Sequence, residues 1–111
     1  MSKSAIRRYL KHGTLPQLRA FEAVARLGSF TRAATELHMA QPTASIQIRK
    51  LTETVGVQLI VQDGRRLRLT SAGRHLYETI EDLFARLAEA ESVLAALRTP
   101  AGVNSPAGGP Q

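Results

Sequence analysis

Three features of the chain set its fold class. Two short helical stretches flank a tight break at residues 38–41, an Asp-Gly pair separates two strand-like runs, and leucines spaced by fours and threes fill the last folded stretch. Together they predict a mainly α chain: a winged helix-turn-helix, with a three-helix core plus a β-hairpin wing, followed by a long dimerisation helix. The expected boundaries are 1–13 for a basic N-terminal extension, 14–70 for the winged helix-turn-helix, 71–98 for the linker or dimerisation helix, and 99–111 for a flexible tail.

A chain of 111 residues has room for one small domain and some extra length, and 43% hydrophobic content supports a small packed core. The absence of cysteine excludes a disulfide framework and a thiolate metal site, and it fits a reducing cytosol. His12, His38 and His75 are too scattered to suggest shared metal ligation and read as ordinary surface or partly buried rings. No window approaches the roughly 18 apolar residues of a membrane span, and the N-terminus lacks a signal-peptide apolar core. No paired carboxylates in a plausible cleft, no metal-ligand spacing and no nucleophile–base pair can be named, so neither an enzyme nor a cofactor is expected.

Charge is unevenly placed within the net +6. Residues 1–75 hold thirteen Lys/Arg against the four acids Glu22, Glu36, Glu53 and Asp63, a balance of +9, whereas residues 76–111 hold two Arg against five acids, a balance of −3. The basic part coincides with the helix-turn-helix, which directs that end toward a polyanion; the alternative is a basic surface that only keeps the chain soluble.

In chain order, residues 1–13 carry an apolar trio, Ile6, Tyr9 and Leu10, among basic residues. Lys3, Arg7, Arg8 and Lys11 can touch phosphates as an arm, or the segment is a frayed end. The first helix is expected from near Leu15. Thr14–Leu15–Pro16–Gln17 fits a capping box, Leu18, Phe21, Val24 and Ala25 supply an apolar face, and Gly28 is the expected stop. Phe21 and Phe30 are expected as core aromatics.

Between Thr31 and Val55, Ala33 and Ala34 allow close packing, and Leu37 closes the apolar face of the first of two helices. His38–Met39–Ala40–Gln41 form the break. Pro42 suits the first turn of the next helix, where its missing N–H is harmless. Ala44, Ile48, Leu51 and Val55 recur at helical spacing as a buried stripe, and the opposite side carries Pro42, Ser45, Ile46, Arg49 and Glu53. A short helix with a small, polar and basic outer face is what reading a DNA major groove requires. Gln41 suits an adenine edge, Ser45 a base or a phosphate, and Arg49 a guanine or the backbone; Thr43 and Lys50 are further candidates on this helix. Ile46 has no fold reason to sit outward, so a thymine-methyl contact is expected, with a singly exposed isoleucine as the alternative.

Gly56 marks the end of that helix, and Leu59 to Thr70 reads as a hairpin turning at Asp63–Gly64. Alternation places Leu67 and Leu69 on one face and Arg66 and Arg68 on the other. The wing tip offers Arg65 and Arg66 to DNA backbone or minor groove, or it is simply solvated. Thr70–Ser71–Ala72–Gly73 can cap a final helix to about Arg98. Its apolar residues Leu76, Ile80, Leu83, Leu87, Ala90, Leu94 and Leu97 form a coiled-coil seam over about three heptads. At roughly 40 Å such a helix outruns so small a core, which points to a second chain. Tyr77, Phe84 and Val93 widen the stripe, so part of it can rest on the chain's own helices. Residues 99–111, TPAGVNSPAGGPQ, are uncharged and rich in Pro, Gly and Ala, the composition of a flexible tail.

The run LRAFEAVARLGSFTRAATELHMAQPTASIQIRKL, followed by VGVQL and RLRLTSAG, resembles the N-terminal DNA-binding domain of LysR-type transcriptional regulators over about residues 15–98. The pattern SFTRAA…L…QP…S…I…L carries the resemblance, and the first half is similar to members that control carbon-fixation operons. The resemblance implies a winged helix-turn-helix whose linker helix pairs, usually antiparallel, with that of a second subunit. It also implies base reading by Gln41, Pro42, Ser45 and Ile46, with Gln47 or Arg49 as neighbours, a wing contact from Arg65, and a phosphate held by backbone N–H groups near Thr31. Ala40 replaces a usual Ser, Ile46 a usual Arg or polar residue, Thr52 a common Glu, and Ile60 and Gln62 a usual Phe and Arg.

Family members continue into an effector-binding domain of two α/β lobes. This chain is therefore expected to be an excised DNA-binding fragment, with a naturally truncated regulator as the other reading. The expected function is sequence-specific binding of double-stranded DNA by a homodimer on an interrupted inverted repeat, in the bacterial cytoplasm at the nucleoid. The rivals are a small architectural DNA-binding protein without sequence preference and a pure protein-interaction module built on the long helix.

Overall fold

Residue size and helix spacing account for the core of the computed structural model, which describes residues 7, 9 and 13–98. The expected arm contacts of Lys3, Arg8 and Lys11 and the expected tail at 99–111 lie outside the described residues. In order, the elements are α1 (Thr14–Leu27), α2 (Phe30–Glu36), α3 (Gln41–Val55), β1 (Ile60–Asp63), β2 (Arg66–Leu69) and α4 (Ser71–Leu97). The chain divides into two compact units, Met1–Ile80 and Glu81–Gln111.

In the first unit α1 packs on α2 and α3, and α2 packs on α3. The contacts are made by small residues with a few bulky fillers. Ala20, Ala23, Ala33, Ala34 and Ala44 are buried beside Leu18, Phe21, Val24, Ile48 and Leu51. Small side chains allow backbones to approach, and the large ones fill the remaining space to crystal-like density. The expected apolar face of α1 is shifted: Ala20 and Ala23 are inside, whereas Ala25 is half-buried. Phe21 is a core aromatic, but Phe30 is only half-buried and lines a surface groove. At the far end of the α3 stripe, Val55 is half-buried too.

The start of α1 corrects the capping-box expectation. Gly13, at φ 93°, takes the N-cap position, and no side chain caps the helix. Thr14 is drawn inward and buried, so its hydroxyl is not at the cap, and the Gln17 N–H reaches the Gly13 carbonyl at 3.3 Å. Gly28 and Gly56 close α1 and α3 as expected, each returning its N–H to the carbonyl four residues back at 2.8 Å. The break between α2 and α3 spans Leu37 to Ala40, and Gln41 is already helical. His38 turns the chain at φ 57°, a left-handed conformation that costs a non-glycine residue roughly 1–2 kcal/mol. The Met39 N–H, bonded to the Ala34 carbonyl at 2.9 Å, secures that turn.

The antiparallel wing pairs Ile60 with Leu69, Val61 with Arg68, Gln62 with Leu67 and Asp63 with Arg66. Asp63 is therefore a strand residue, and the turn is Gly64–Arg65 rather than Asp63–Gly64. Only Gly64 of the two has positive φ, at 64°, so the glycine takes the first central position of a two-residue turn. Directly paired residues share a face. Leu67 and Leu69 thus share a face with Ile60, all three half-buried, and with the exposed Gln62, while Arg66 and Arg68 lie on the other, as the alternation predicts.

Thr70 ties the wing to α4. Its N–H donates to the Leu59 carbonyl at 3.0 Å, its hydroxyl donates to the Gln58 carbonyl at 2.7 Å, and the same oxygen accepts the Gly73 N–H at 2.9 Å. The N-cap expected at the start of the long helix is therefore Thr70. Gly73 is required by proximity: a Cβ there would lie 2.0 Å from the Leu59 carbonyl oxygen. Gly73→Ala is expected to destabilise the fold by roughly 2–3 kcal/mol through overpacking, read as a lower midpoint in urea unfolding. An unchanged midpoint would mean the joint opens freely.

Candidate nucleic-acid interface

Helical geometry separates α3 into two sides. Ala44, Ile48 and Leu51 face the core, while Gln41, Pro42, Thr43, Ile46, Arg49 and Lys50 are exposed. Ile46 is 40% exposed, an outward isoleucine that the core does not use. Ser45 is half-buried at the edge of the outer face. Gln47 lies against the buried stripe and is also half-buried, so it is less accessible than the expected set implied.

The side of α3 that carries Gln41 and Ser45 looks across a groove to the wing. Phe30 and Thr31 at the start of α2, Gln41, Ser45, Gln62 and Arg65 line it together. A neighbouring groove shares Phe30, Ser45 and Gln62 and is bounded by Arg49, Thr52, Gln58 and Ile60. Thr31 and Arg65, 34 positions apart in sequence, thus meet around one opening. Arg66 and Arg68 are on the opposite face of the wing, where Arg68 pairs with Asp63 at 3.8 Å. Ser29 and Gln58, which are not among the expected site residues, also line these grooves: Ser29 opens the SFTRAA run and caps α2, its Oγ accepting the Arg32 N–H at 3.1 Å, and Gln58 sits in the loop before β1.

Electrostatically, Arg26 holds two of the four acids that precede residue 75. Its Nε donates to Glu22 at 2.8 Å, and its terminal nitrogens donate to Glu36. The hydrogen bond from Arg26 holds the Glu36 carboxyl below the usual carboxylate range, and the bonds to Glu36 and then Glu22 raise Arg26 further. Because Arg26 and Glu36 are exposed and only Glu22 is half-buried, this cluster contributes modestly to stability. It leaves Arg49, Lys50, Arg65 and Arg66 as exposed cations on and around α3 and the wing tip.

On α4 the expected seam is corrected at its first half. Ile80 is 1% exposed within its own chain and Leu76 is half-buried, because the start of this helix completes the core of the first unit. Beyond Ile80, Leu83, Leu87, Leu94 and Leu97 are exposed, the last three at 55%, 52% and 75%, and Val93 is exposed beside them. Tyr77 and Phe84 are half-buried. Among the described residues no helix is long and apolar enough to cross a membrane, and no cluster of His, Asp or Glu is arranged to hold a metal.

A three-helix core, a small outward face on its third helix and a basic-tipped hairpin beside it define a winged helix-turn-helix domain of the DNA-binding class. Residues 15–74 match the family described as bacterial regulatory helix-turn-helix protein, lysR family. This chain belongs to that family. It is 45% identical over 87 residues to a RuBisCO operon transcriptional regulator of Allochromatium vinosum, covering 78% of this chain and 29% of the relative. It is also similar to the BenM DNA-binding domain in complex with catB site 1 DNA, with a TM-score of 0.74, 33% identity, and coverage of 81% of this chain and 98% of the other. The CbnR DNA-binding domain in its DNA complex matches with a TM-score of 0.68 and 30% identity over 76% of this chain and 97% of that one. The chain spans a little under a third of the length of the curated relatives it matches.

Proposed function

We propose that this chain binds double-stranded DNA sequence-specifically as a homodimer and is the DNA-reading part of a bacterial transcriptional regulator acting at the nucleoid. The observation that carries the reading is the convergence of Thr31, Gln41, Ser45 and Arg65 on one groove beside the exposed outer face of α3. In this reading α3 enters the major groove, where Gln41 meets an adenine edge, Arg49 meets a guanine or the backbone, and Ile46 meets a thymine methyl. Pro42, Thr43 and Lys50 flank the contact, with Gln47 at its inner margin. Arg65 and Arg66 supply backbone or minor-groove contacts from the wing, and backbone N–H groups near Thr31 hold a phosphate. The DNA complexes of the BenM and CbnR domains support this docking, and the likeness to the Allochromatium regulator supports a carbon-fixation operon as the target.

The exposed leucines from Leu83 to Leu97 support dimerisation through α4. A second copy would cover an apolar stripe that water otherwise faces. Two such domains related by a two-fold axis would present their α3 helices to successive major grooves of an interrupted inverted repeat.

Selecting bound sites from fragmented genomic DNA tests the function: an interrupted inverted repeat is expected, with preference over random duplex of at least ~10³. Recovery of random fragments would favour an architectural protein instead. Replacing Leu83 or Leu87 by Asp is expected to weaken the dimer on the order of 100-fold by burying a charge at the seam. Sedimentation showing an intact dimer would remove these positions from the interface. For Ile46, the parent is expected to bind a uracil-substituted site more weakly than the thymine site, and Ile46→Ala to lose that difference. An equal relative loss in parent and variant would eliminate the methyl contact.

A further inference from the structure

Among the described residues, four threonine hydroxyls within the helices turn back on their own backbone. Thr35 donates to the Thr31 carbonyl at 3.1 Å, Thr52 to Ile48 at 2.9 Å, Thr54 to Lys50 at 3.1 Å and Thr79 to His75 at 3.0 Å. Ser45 behaves differently: its Oγ accepts a hydrogen bond from Gln41 Nε2 at 3.1 Å. Gln41 is the first residue of α3, exposed, and one helical turn before Ser45, so the two side chains stand on the same strip of surface. Ser45 is half-buried in the shared wall of the two grooves, beside Phe30 and Gln62. A short, hemmed-in hydroxyl therefore holds the amide of a long, exposed side chain.

We infer that Ser45 is a positioning residue for Gln41, presetting its amide for adenine, rather than a separate reader of the DNA. The inference rests on the reading that α3 enters the major groove. The Gln41 amide has one oxygen acceptor and two N–H donors. One donor is spent on Ser45 Oγ, which leaves one acceptor and one donor facing outward. That remaining pair matches the N6–H and N7 edge of adenine. Guanine offers two acceptors, O6 and N7, to which the held amide has one hydrogen left to give, and its own oxygen would meet guanine O6. Fixing the amide also removes rotamer freedom before the DNA arrives, so less is lost on binding. Specificity at one base position is thereby shared between the residue that touches the base and one that does not.

The test uses the full chain in four forms: parent, Ser45→Ala, Gln41→Ala and the double variant. Each selects sites from a randomised duplex library, and each is titrated on the parent's selected site at several salt concentrations. Thermal melts confirm that all four are folded. Ser45→Ala is expected to weaken the parent site by about 3- to 10-fold. It should also admit guanine at the same base position that Gln41→Ala makes indifferent, and leave the salt slope unchanged. In the Gln41→Ala background, adding Ser45→Ala should change affinity by less than about 2-fold, because the group it positions is gone.

Losses that multiply in the double variant, or a change at a different base position, would make Ser45 an independent reader and overturn the inference. A salt slope reduced by about 0.9 in Ser45→Ala would make it part of a phosphate contact, with the same consequence. If the parent selects specific sites but Gln41→Ala leaves them unchanged, the inference fails while the DNA-reading function stands. A parent with no site preference would overturn both.

Discussion

Close approach of three helices through alanine is the constraint on which the rest of this structure depends. Ala20 and Ala23 on α1, Ala33 and Ala34 on α2, and Ala44 on α3 are all buried, and each lies where a larger side chain would force the helices apart. Phe21, Leu51 and Val24 then fill the volume that the small residues leave, with burial of each large side chain contributing roughly 1.5–3 kcal/mol. Because the packing is tight, the rotation of α3 about its axis is set from within. The same arrangement that puts Ala44, Ile48 and Leu51 inside puts Ile46 and Arg49 outside. The candidate reading face is thus a consequence of core geometry.

A second constraint places the wing. Thr70 bonds to the Gln58 and Leu59 carbonyls at the hairpin's entry and caps α4, and Gly73 lets the backbone of α4 lie against the Leu59 carbonyl. Leu59 is itself buried, so this joint anchors the hairpin root in the core. From that root the two-residue turn at Gly64–Arg65 carries one arginine to the groove that also holds Thr31, Gln41 and Ser45, while strand alternation sends Arg66 and Arg68 to the other face. The tip arginines are neighbours in sequence, yet they have different surroundings.

The long helix divides its apolar residues between two tasks. Up to Ile80 they complete the first unit; Leu83, Leu87, Val93, Leu94 and Leu97 remain exposed in the single chain. A continuous heptad pattern therefore hides a change of role. Periodicity reports only that a residue lies on the apolar stripe, not which surface will cover it.

Much of this protein is legible from its residues because the determining interactions are local. Helix spacing locates α1, α3 and α4, alternation orients the wing, Gly28 and Gly56 end their helices, and the outward position of Ile46 follows from counting around α3. The failures share one cause, which is that long-range packing overrides a local preference. Thr14 has a capping side chain, but the core takes it in and Gly13 caps instead; Asp63–Gly64 has turn chemistry, but the register that pairs Ile60 with Leu69 moves the turn to Gly64–Arg65. Ile80 has seam spacing, but the first unit buries it, and Phe30 has core chemistry, but the space above it stays open as a groove. Sequence alone determined which elements exist and, for α3 and the wing, which face is apolar, since backbone period and side-chain polarity act over a few residues. Tertiary structure alone decided that Thr31, Gln41, Ser45, Gln62 and Arg65 would share one opening, since only the packing of α2, α3 and the wing brings such separated positions together.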